Sequence, residues 1–481
     1  MNDLGIALKG GACYYEQIYE AIRKDILTGK LRAGERLPST RFLADFLSVS
    51  RTTTAAAYDQ LLSEGYLDAK PRKGYFVSDI SLLCKMEENV QEKERKEPSP
   101  LSHAEQEKRI DFSPRAIDMS AFPFPTWKKL IKEAFLEGGE GLLSLGEQQG
   151  DVSLREAIAH YLTLSRGVSC DPSRIVIGAG EDYLLMLLRQ ILGRRQTAME
   201  EVSYVRGREI FKRLGNPVLP VQMDENGMVP GGLRNSKANL VFLMPGRQYP
   251  CGLTMPAGRR GELLAWAEEE EDRFLIEDDY DSEFRYRGRP LPSLQGMDKG
   301  GHVIYMGTFS KAIAPAIRIS YMVLPKTLLE RFVQNCSCYS CTVSRLDQAV
   351  LGKFLREGFF ERYLNKMRRR YKQKQEMVIA QTESLQENYE VRGAGAGLHL
   401  LLSEKKTISS SSALAMREKK IVRKLQKAGV HTYPLHEFDL TGERSFLQKP
   451  SVVLGYAGLS EKEIEQGCMI LRKVLSEPSS V

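Results

Sequence analysis

The sequence predicts a multidomain chain: an N-terminal winged helix-turn-helix, then an α/β domain on a largely parallel sheet that closes with a smaller α+β lobe. Three observations carry this. Residues 14–65 contain three short helical patterns separated by turns and followed by a glycine-turned hairpin. Residues 79–109 shift to a charge-rich composition with a Pro-Ser-Pro interruption. Beyond 110, helical stretches alternate with short apolar strands such as RIVIGAG, NLVFLMP, RFLIEDDY and HVIYMGTF.

At 481 residues the chain suits two or three domains. With 42% hydrophobic and 27% charged residues it is an ordinary globular composition, and a net charge of +7 favours an acidic partner only mildly. No run approaches the roughly 18–20 apolar residues of a membrane span, and the first residues lack a charged-then-apolar signal pattern, so a cytoplasmic location is expected. The eight cysteines are spread along the chain, with a cluster at Cys336, Cys338 and Cys341. No fourth ligand accompanies the three, so buried thiols are expected rather than a metal.

In the first domain, expected over 11–78, Tyr15, Ile18, Ile22 and Ile26 recur at helical spacing before Gly29. A second helix begins at Ser39 and carries Phe42, Leu43, Phe46 and Leu47 on one face. A third is capped by Ser50, contains Tyr58, Leu61 and Leu62, and stops at Gly65. GYLDAKPRKGYFV then alternates around a turn as a two-stranded wing. Residues 79–109 hold too few apolar groups to build a core and read as a flexible charged linker. The α/β part is expected over 110–481, with late strands near EVRGAGAGLHLLL and SVVLGYAG.

In a helix-turn-helix the second helix enters the major groove by its N-terminal end. That end reads Ser50, Arg51, Thr52, Thr53, Thr54. Arg51 can meet a guanine edge or a phosphate, the hydroxyls can reach phosphates or bases, and Arg41 can anchor the DNA backbone. Lys70, Arg72 and Lys73 lie on the wing, where Gly74 permits close approach to a phosphate. The first 78 residues hold 11 Lys and Arg against 9 Asp and Glu, so placement rather than net charge carries this reading. The stretch 31–77 resembles the GntR-type winged helix, with Leu37-Pro38-Ser39, Arg41, Leu43-Ala44, Val49-Ser50-Arg51, Tyr58, Leu61, Gly65 and Gly74 as its markers. The resemblance implies that Arg41, Ser50, Arg51, Thr52, Thr53 and Gly74 meet double-stranded operator DNA.

In the second domain VIYMGTFSKAIAPAIR ends a strand with Thr308, Ser310 and Lys311, and Arg318 follows seven residues after the lysine. Hydroxyls with a guanidinium suit a phosphate, and Lys311 supplies an amine. FLIEDDY puts Asp278 at a strand end two residues before Tyr280. IVIGAGEDYLL is a strand, a glycine turn at Gly180 and a helix N-terminus beginning at Glu181, where backbone amides favour an anion. Tyr204 offers an aromatic plate, and Arg206 a cation for a carboxylate. Amine, ring-nitrogen acid, aromatic plate and anion cradle are the four demands of pyridoxal 5'-phosphate.

Residues from about 110 to 470 are similar to fold-type I aminotransferases, and the joined architecture resembles the MocR-type regulators of the GntR family. The resemblance implies Lys311 as the Schiff-base lysine, Asp278 at the pyridine nitrogen, Tyr280 at the ring hydroxyl and Tyr204 stacked on the ring. Thr308, Ser310, Arg318 and the amides near Gly180 would hold phosphate, and Arg206 the carboxylate of an effector. It implies a homodimer, and a transcription regulator that senses the cofactor or an amino compound rather than an enzyme. The chain departs from the family pattern at Glu181, where Gln is usual, at Glu147, where a tyrosine would reach a neighbouring subunit's phosphate, and at Val202, Arg247 and Cys251. SVVLGYAG also lacks an arginine, so no second carboxylate anchor is identified late in the chain. Two other readings stay open on the residues alone: a genuine aminotransferase carrying an accessory DNA-binding module, and a degenerate, cofactor-free dimerisation domain.

Overall fold

The structure is a computed structural model and describes residues 6, 8, 13–79, 109–288 and 291–476. The chain separates into two compact units, Met1–Glu105 and Gln106–Val481. Apart from its two end residues, the expected linker at 79–109 lies outside the described residues, as do positions 11 and 12 and the last five residues.

Among its described residues the first unit is built on three helices: α1 (Tyr14–Leu27), α2 (Thr40–Leu47) and α3 (Arg51–Ser63). Ile18, Ile22 and Ile26 recur every four residues and are buried, so α1 presents a single apolar stripe to the core. Ser39 and Ser50 both act as N-caps, accepting from the amides of Phe42 (3.2 Å) and Thr53 (3.1 Å). Strands β1 (Leu67–Lys70) and β2 (Gly74–Val77) pair antiparallel from Leu67↔Val77 to Lys70↔Gly74. Gly74 closes this hairpin at φ 102°, a conformation L side chains resist.

The apolar face expected for α2 is split. Leu43 is buried and Leu47 packs against the core, but Phe42 and Phe46 are 47% and 58% exposed and stack on each other at 6.5 Å. An eight-residue helix shows its neighbours only a narrow stripe, and residues 42 and 46, four apart, line up on the adjacent, outward side.

The second unit is organised by seven strands: β3 (Ile175–Gly178), β4 (Thr197–Glu200), β5 (Val218–Val221), β6 (Leu240–Leu243), β7 (Phe274–Asp279), β8 (Val303–Thr308) and β9 (Ser320–Val323). Their order is β3-β9-β8-β7-β6-β4-β5, and every neighbouring pair is parallel except those made by β9. Helices cover both faces, so β3, β4, β6, β7 and β9 are buried along their whole length; β3 and β6 are continuous apolar runs, whereas β7 ends in the buried carboxylates Glu277, Asp278 and Asp279. A second, antiparallel sheet forms the C-terminal lobe from β10 (Tyr389–Arg392), β11 (His399–Glu404), β12 (Tyr433–Pro434) and β13 (Ser451–Gly455), in the order β10-β11-β13-β12. Ile110–Asp111 pairs with Val430–His431, which ties the start of this unit to the lobe.

The strand directions place the site. In open parallel sheets ligands sit beyond the carboxyl ends of the strands. Gly178, Asp278 and Thr308 all lie at such ends. Because β9 runs the other way, its first residue, Ser320, pairs with both Thr308 and Gly178 and brings Arg318 back to the same edge.

Candidate DNA-binding and cofactor sites

At the head of α3 the Ser50 hydroxyl caps the helix and lies 2.7 Å from the hydroxyls of both Thr52 and Thr53. Arg41, Ser50, Arg51 and Thr52 are exposed, and Thr53 is half-buried. Thr54 is not available to a ligand: it is buried and donates to the Thr40 carbonyl at 2.9 Å, fastening α3 to α2. Lys70, Arg72 and Lys73 are exposed on the wing. Arg36 was missed by sequence reasoning. It pairs with Phe76 through a bridge, and its guanidinium lies beside Gly74, adding a cation to the wing. Only contact between the turn before α2 and the hairpin reveals it.

The second unit holds a cavity of about 240 Å³ at the carboxyl edge of the sheet. Lys311, Asp278, Tyr280, Tyr204, Thr308, Ser310, Arg318, Glu181 and Arg206 all line it, so residues spread over more than a hundred positions converge there. Gly180 lies immediately behind the wall. Its φ is 97°, and a Cβ there would fall 2.1 Å from the Arg318 guanidinium, so only glycine lets that arginine lie against the turn.

Lys311 Nζ donates to the carbonyls of Pro114 (3.0 Å) and Arg115 (2.9 Å). Burial lowers its ammonium to about 8, opposed by Asp281 and reinforced by Arg115. Asp278 is buried on β7 and faces carboxylates, Glu181 foremost; burial first, then these neighbours, raises its acid well above the ordinary range. Strand alternation sends Glu277 and Asp279 the other way. Glu277 accepts from the amides of Leu294 and Gln295, both at 2.9 Å, while Asp279 takes Arg166 and the Tyr305 hydroxyl, both at 2.6 Å.

The anion cradle is more particular than the glycine turn suggests. The amides of Ala179 and Gly180 are already given to Thr342 Oγ1 (2.9 Å) and to the Gly178 carbonyl (2.8 Å). The amides left for a ligand are those of the helix Glu181–Leu192, whose first turn has no intrahelical acceptors. Thr308 Oγ1 accepts from the Ser310 amide (3.2 Å) and the Ser320 hydroxyl (2.9 Å), which leaves its own proton free to donate. Glu181 tolerates this place because burial and the adjacent Asp182 raise its carboxyl to about 7, opposed by Arg206 and Arg318. Near neutrality a large share of it is uncharged.

Tyr204 meets Tyr249 edge-on at 6.4 Å at the cavity wall. Arg206 is ion-paired with Asp182. Arg247 lies outside the cavity: it is buried, pairs with Asp281 at 3.4 Å, and donates to the Gly393 (3.1 Å) and His399 (2.8 Å) carbonyls. Val202 and Cys251 are core residues, and Glu147 is engaged by Arg155 at a separate groove. Cys336 is buried, Cys338 exposed and Cys341 intermediate, and among the described residues no His, Cys, Asp or Glu cluster is placed to hold a metal.

Sequence reasoning missed Arg115, Asp182 and Tyr249, which also line the cavity. A signal for Asp182 existed, since an acid in the first turn beside Arg206 and Arg318 must pair with something. Arg115 lies 196 residues from Lys311 and gave none.

The chain matches two family models, bacterial regulatory proteins of the gntR family over residues 14–77 and aminotransferase class I and II over 116–471. It is 33% identical over 482 residues to the probable rhizopine catabolism regulatory protein MocR of Rhizobium meliloti, covering 95% of this chain and 93% of that one. The chain belongs to the MocR-type transcription regulators. Another relative is the uncharacterized HTH-type transcriptional regulator YdeL of Bacillus subtilis, 37% identical over 95% of this chain and 96% of its own. A third relative, the pyridoxine biosynthesis transcriptional regulator PdxR of Corynebacterium glutamicum, is 33% identical over 80% of this chain and 82% of its own. In fold the chain is similar to kynurenine aminotransferase from Pyrococcus horikoshii, with a TM-score of 0.68 at 23% identity over 82% of this chain and 95% of that one. It is thus a DNA-binding regulator whose second domain has the aminotransferase fold, and the enzyme-with-accessory-module reading gives way to the regulator names of these full-length relatives. Among the described residues no helix is long and apolar enough to cross a membrane.

Proposed function

We propose that this MocR-type regulator binds pyridoxal phosphate in the second-domain cavity and reads the cofactor, or an amino compound bound with it, to control its hold on operator DNA in the cytoplasm. The observation that carries this is chemical fit. Tyr280 OH, Ser310 Oγ and Glu181 Oε1 are buried at the cavity and hydrogen-bond to nothing among the described residues, an arrangement that costs free energy until a polar ligand satisfies it.

Each group has a natural counterpart on the cofactor. Asp278, surrounded by carboxylates and buried, lacks a cation that a protonated ring nitrogen supplies, and that pairing would return the acid to its charged form. Tyr280 would donate to the ring hydroxyl and Tyr204 would cover the ring face. Ser310, Thr308, Arg318 and the first-turn amides of Glu181–Leu192 would hold the phosphate, with Glu181 donating when protonated. When bound, the cofactor supplies an aldehyde carbon that exchanges between Lys311 and an incoming amine. Lys311, already lowered toward its neutral form, is suited to that exchange and is oriented by the two carbonyls it meets. Arg206 would meet an effector carboxylate in exchange for Asp182.

On the first domain, Arg41, Ser50, Arg51, Thr52, Thr53 and Gly74 are proposed to contact the DNA. A homodimer is supported by Leu136, Leu143 and Leu145, which are 75%, 81% and 88% exposed within one short stretch and want cover. The deciding experiment is the visible spectrum of the full chain with pyridoxal phosphate, followed by borohydride reduction and peptide mass mapping. A reduced adduct on Lys311, absent from Lys311→Ala, is the expected result. Reduction that leaves Lys311 unmodified would establish the cofactor-free reading instead.

A further inference from the structure

Among the described residues four cationic side chains line the cavity: Arg115, Arg206, Lys311 and Arg318. Three are committed. Arg206 is ion-paired with Asp182. Arg318 donates to the Ala179 carbonyl at 3.3 Å and lies 3.5 Å from the same Asp182. Lys311 is held by two main-chain carbonyls. Arg115 differs, because among the described residues no carboxylate lies within ion-pair distance of it. Its guanidinium faces the phenols of Tyr249 and Tyr433, which are uncharged at neutral pH and cannot neutralise it.

The main chain fixes this cation close to the reacting amine. The Arg115 carbonyl accepts from Lys311 Nζ at 2.9 Å, so the arginine side chain starts at the lysine itself. The pairing of Ile110–Asp111 with Val430–His431 anchors the chain four residues before Arg115. A planar guanidinium with free donors, exposed to a cavity and set beside an amine, is the arrangement that binds the carboxylate of a molecule whose amino group comes to Lys311.

We propose that Arg115 is the second carboxylate anchor of this cavity, beside Arg206, and that it selects effectors carrying a carboxylate over simple amines. The lobe strand β13 carries no arginine to do this, and Arg115 supplies the missing charge from the opposite end of the domain's sequence. The inference rests on the cofactor reading above, since the amine end is placed by it.

The test is a spectral titration of the cofactor-loaded full chain with L-alanine, with β-alanine and with ethylamine, which is either alanine without its carboxylate. The wild-type chain should favour at least one alanine isomer over ethylamine by about tenfold or more, the worth of a charge-assisted hydrogen bond. Arg115→Gln should sharply reduce that preference, read as the ratio of the alanine and ethylamine affinities within each chain so that any change at Lys311 cancels, and Arg115→Lys should restore part of it. Arg115 is exposed, so these variants retain the core. A wild-type chain without the preference, an Arg115→Gln chain that keeps it, or an Arg206→Gln chain that alone loses it would each overturn the inference while leaving cofactor binding intact. Failure of the wild-type chain to form any cofactor adduct would overturn the cofactor reading, and this inference with it.

Discussion

Lys311 offers a test whose size follows from its surroundings. Burial, with help from the Arg115 guanidinium and against the Asp281 carboxylate, lowers its ammonium from 10.5 to about 8. At pH 7 a lysine of ordinary basicity is about 0.03% free amine, whereas one at 8 is about 9%, a gain of roughly three-hundredfold. Only the free amine attacks an aldehyde, so the rate at which added pyridoxal phosphate reacts with the chain should climb about tenfold per pH unit and level off near pH 8. The assay is absorbance-monitored mixing from pH 6 to 10, with Lys311→Ala as the blank and a free blocked lysine to correct for titration of the cofactor. Arg115→Gln should move the break upward, since that cation is one of the causes that lower it. A wild-type rate still climbing tenfold between pH 9 and 10 would refute the reasoning. Stability carries the same sign. Between about 8 and 10.5 the unfolded chain binds the extra proton, so the penalty of the buried lysine is complete below pH 8 and fades as pH rises through that window. Lys311→Met should therefore raise the melting point of the cofactor-free chain at pH 7, by no more than about 3 kcal/mol in free energy.

Gly180→Ala would force a Cβ to 2.1 Å from Arg318 at a φ of 97°. Expected are a stability loss of about 1–3 kcal/mol by thermal melting and at least a tenfold weaker cofactor affinity; unchanged affinity would remove Arg318 from the phosphate site. Arg51→Ala should leave melting of the first domain within about 0.5 kcal/mol while weakening binding to genomic DNA fragments, whereas Thr54→Val should lose about 1 kcal/mol of stability by breaking the bond to the Thr40 carbonyl. Arg166→Met leaves Asp279 buried beside Asp278 without its partner. Urea unfolding should record a loss of about 3–5 kcal/mol, and a loss under about 1 would mean that Tyr305 alone satisfies the carboxylate.

The winged helix was legible almost residue by residue, because its determinants act over one or two turns. Ser39 and Ser50 cap the helices that follow them, and Gly74 permits the hairpin. The exception, the outward-facing Phe42 and Phe46, arose because an apolar residue on a short helix does not announce which side the core is on. In the second domain the strand ends bearing Asp278 and Thr308 and the Gly180 turn were legible for the same local reason. Which hydroxyls were spent and which were left was not: Thr308 accepts twice within the structure while Ser310, two residues away, accepts from none of the described groups.

By itself, then, the sequence determined the helices, caps, turns and strands, and through them the residue types that arrive at the carboxyl edge of the sheet. The partners were decided by tertiary structure alone. Arg206 is held by Asp182, Arg247 is drawn into the core by Asp281, and Arg115 comes to Lys311 across 196 residues with no acid among the described residues to meet it. The reason is physical: a cap or a turn is a bargain between near neighbours, whereas the charge state and availability of a buried group depend on desolvation and on side chains that only packing brings within a few ångströms.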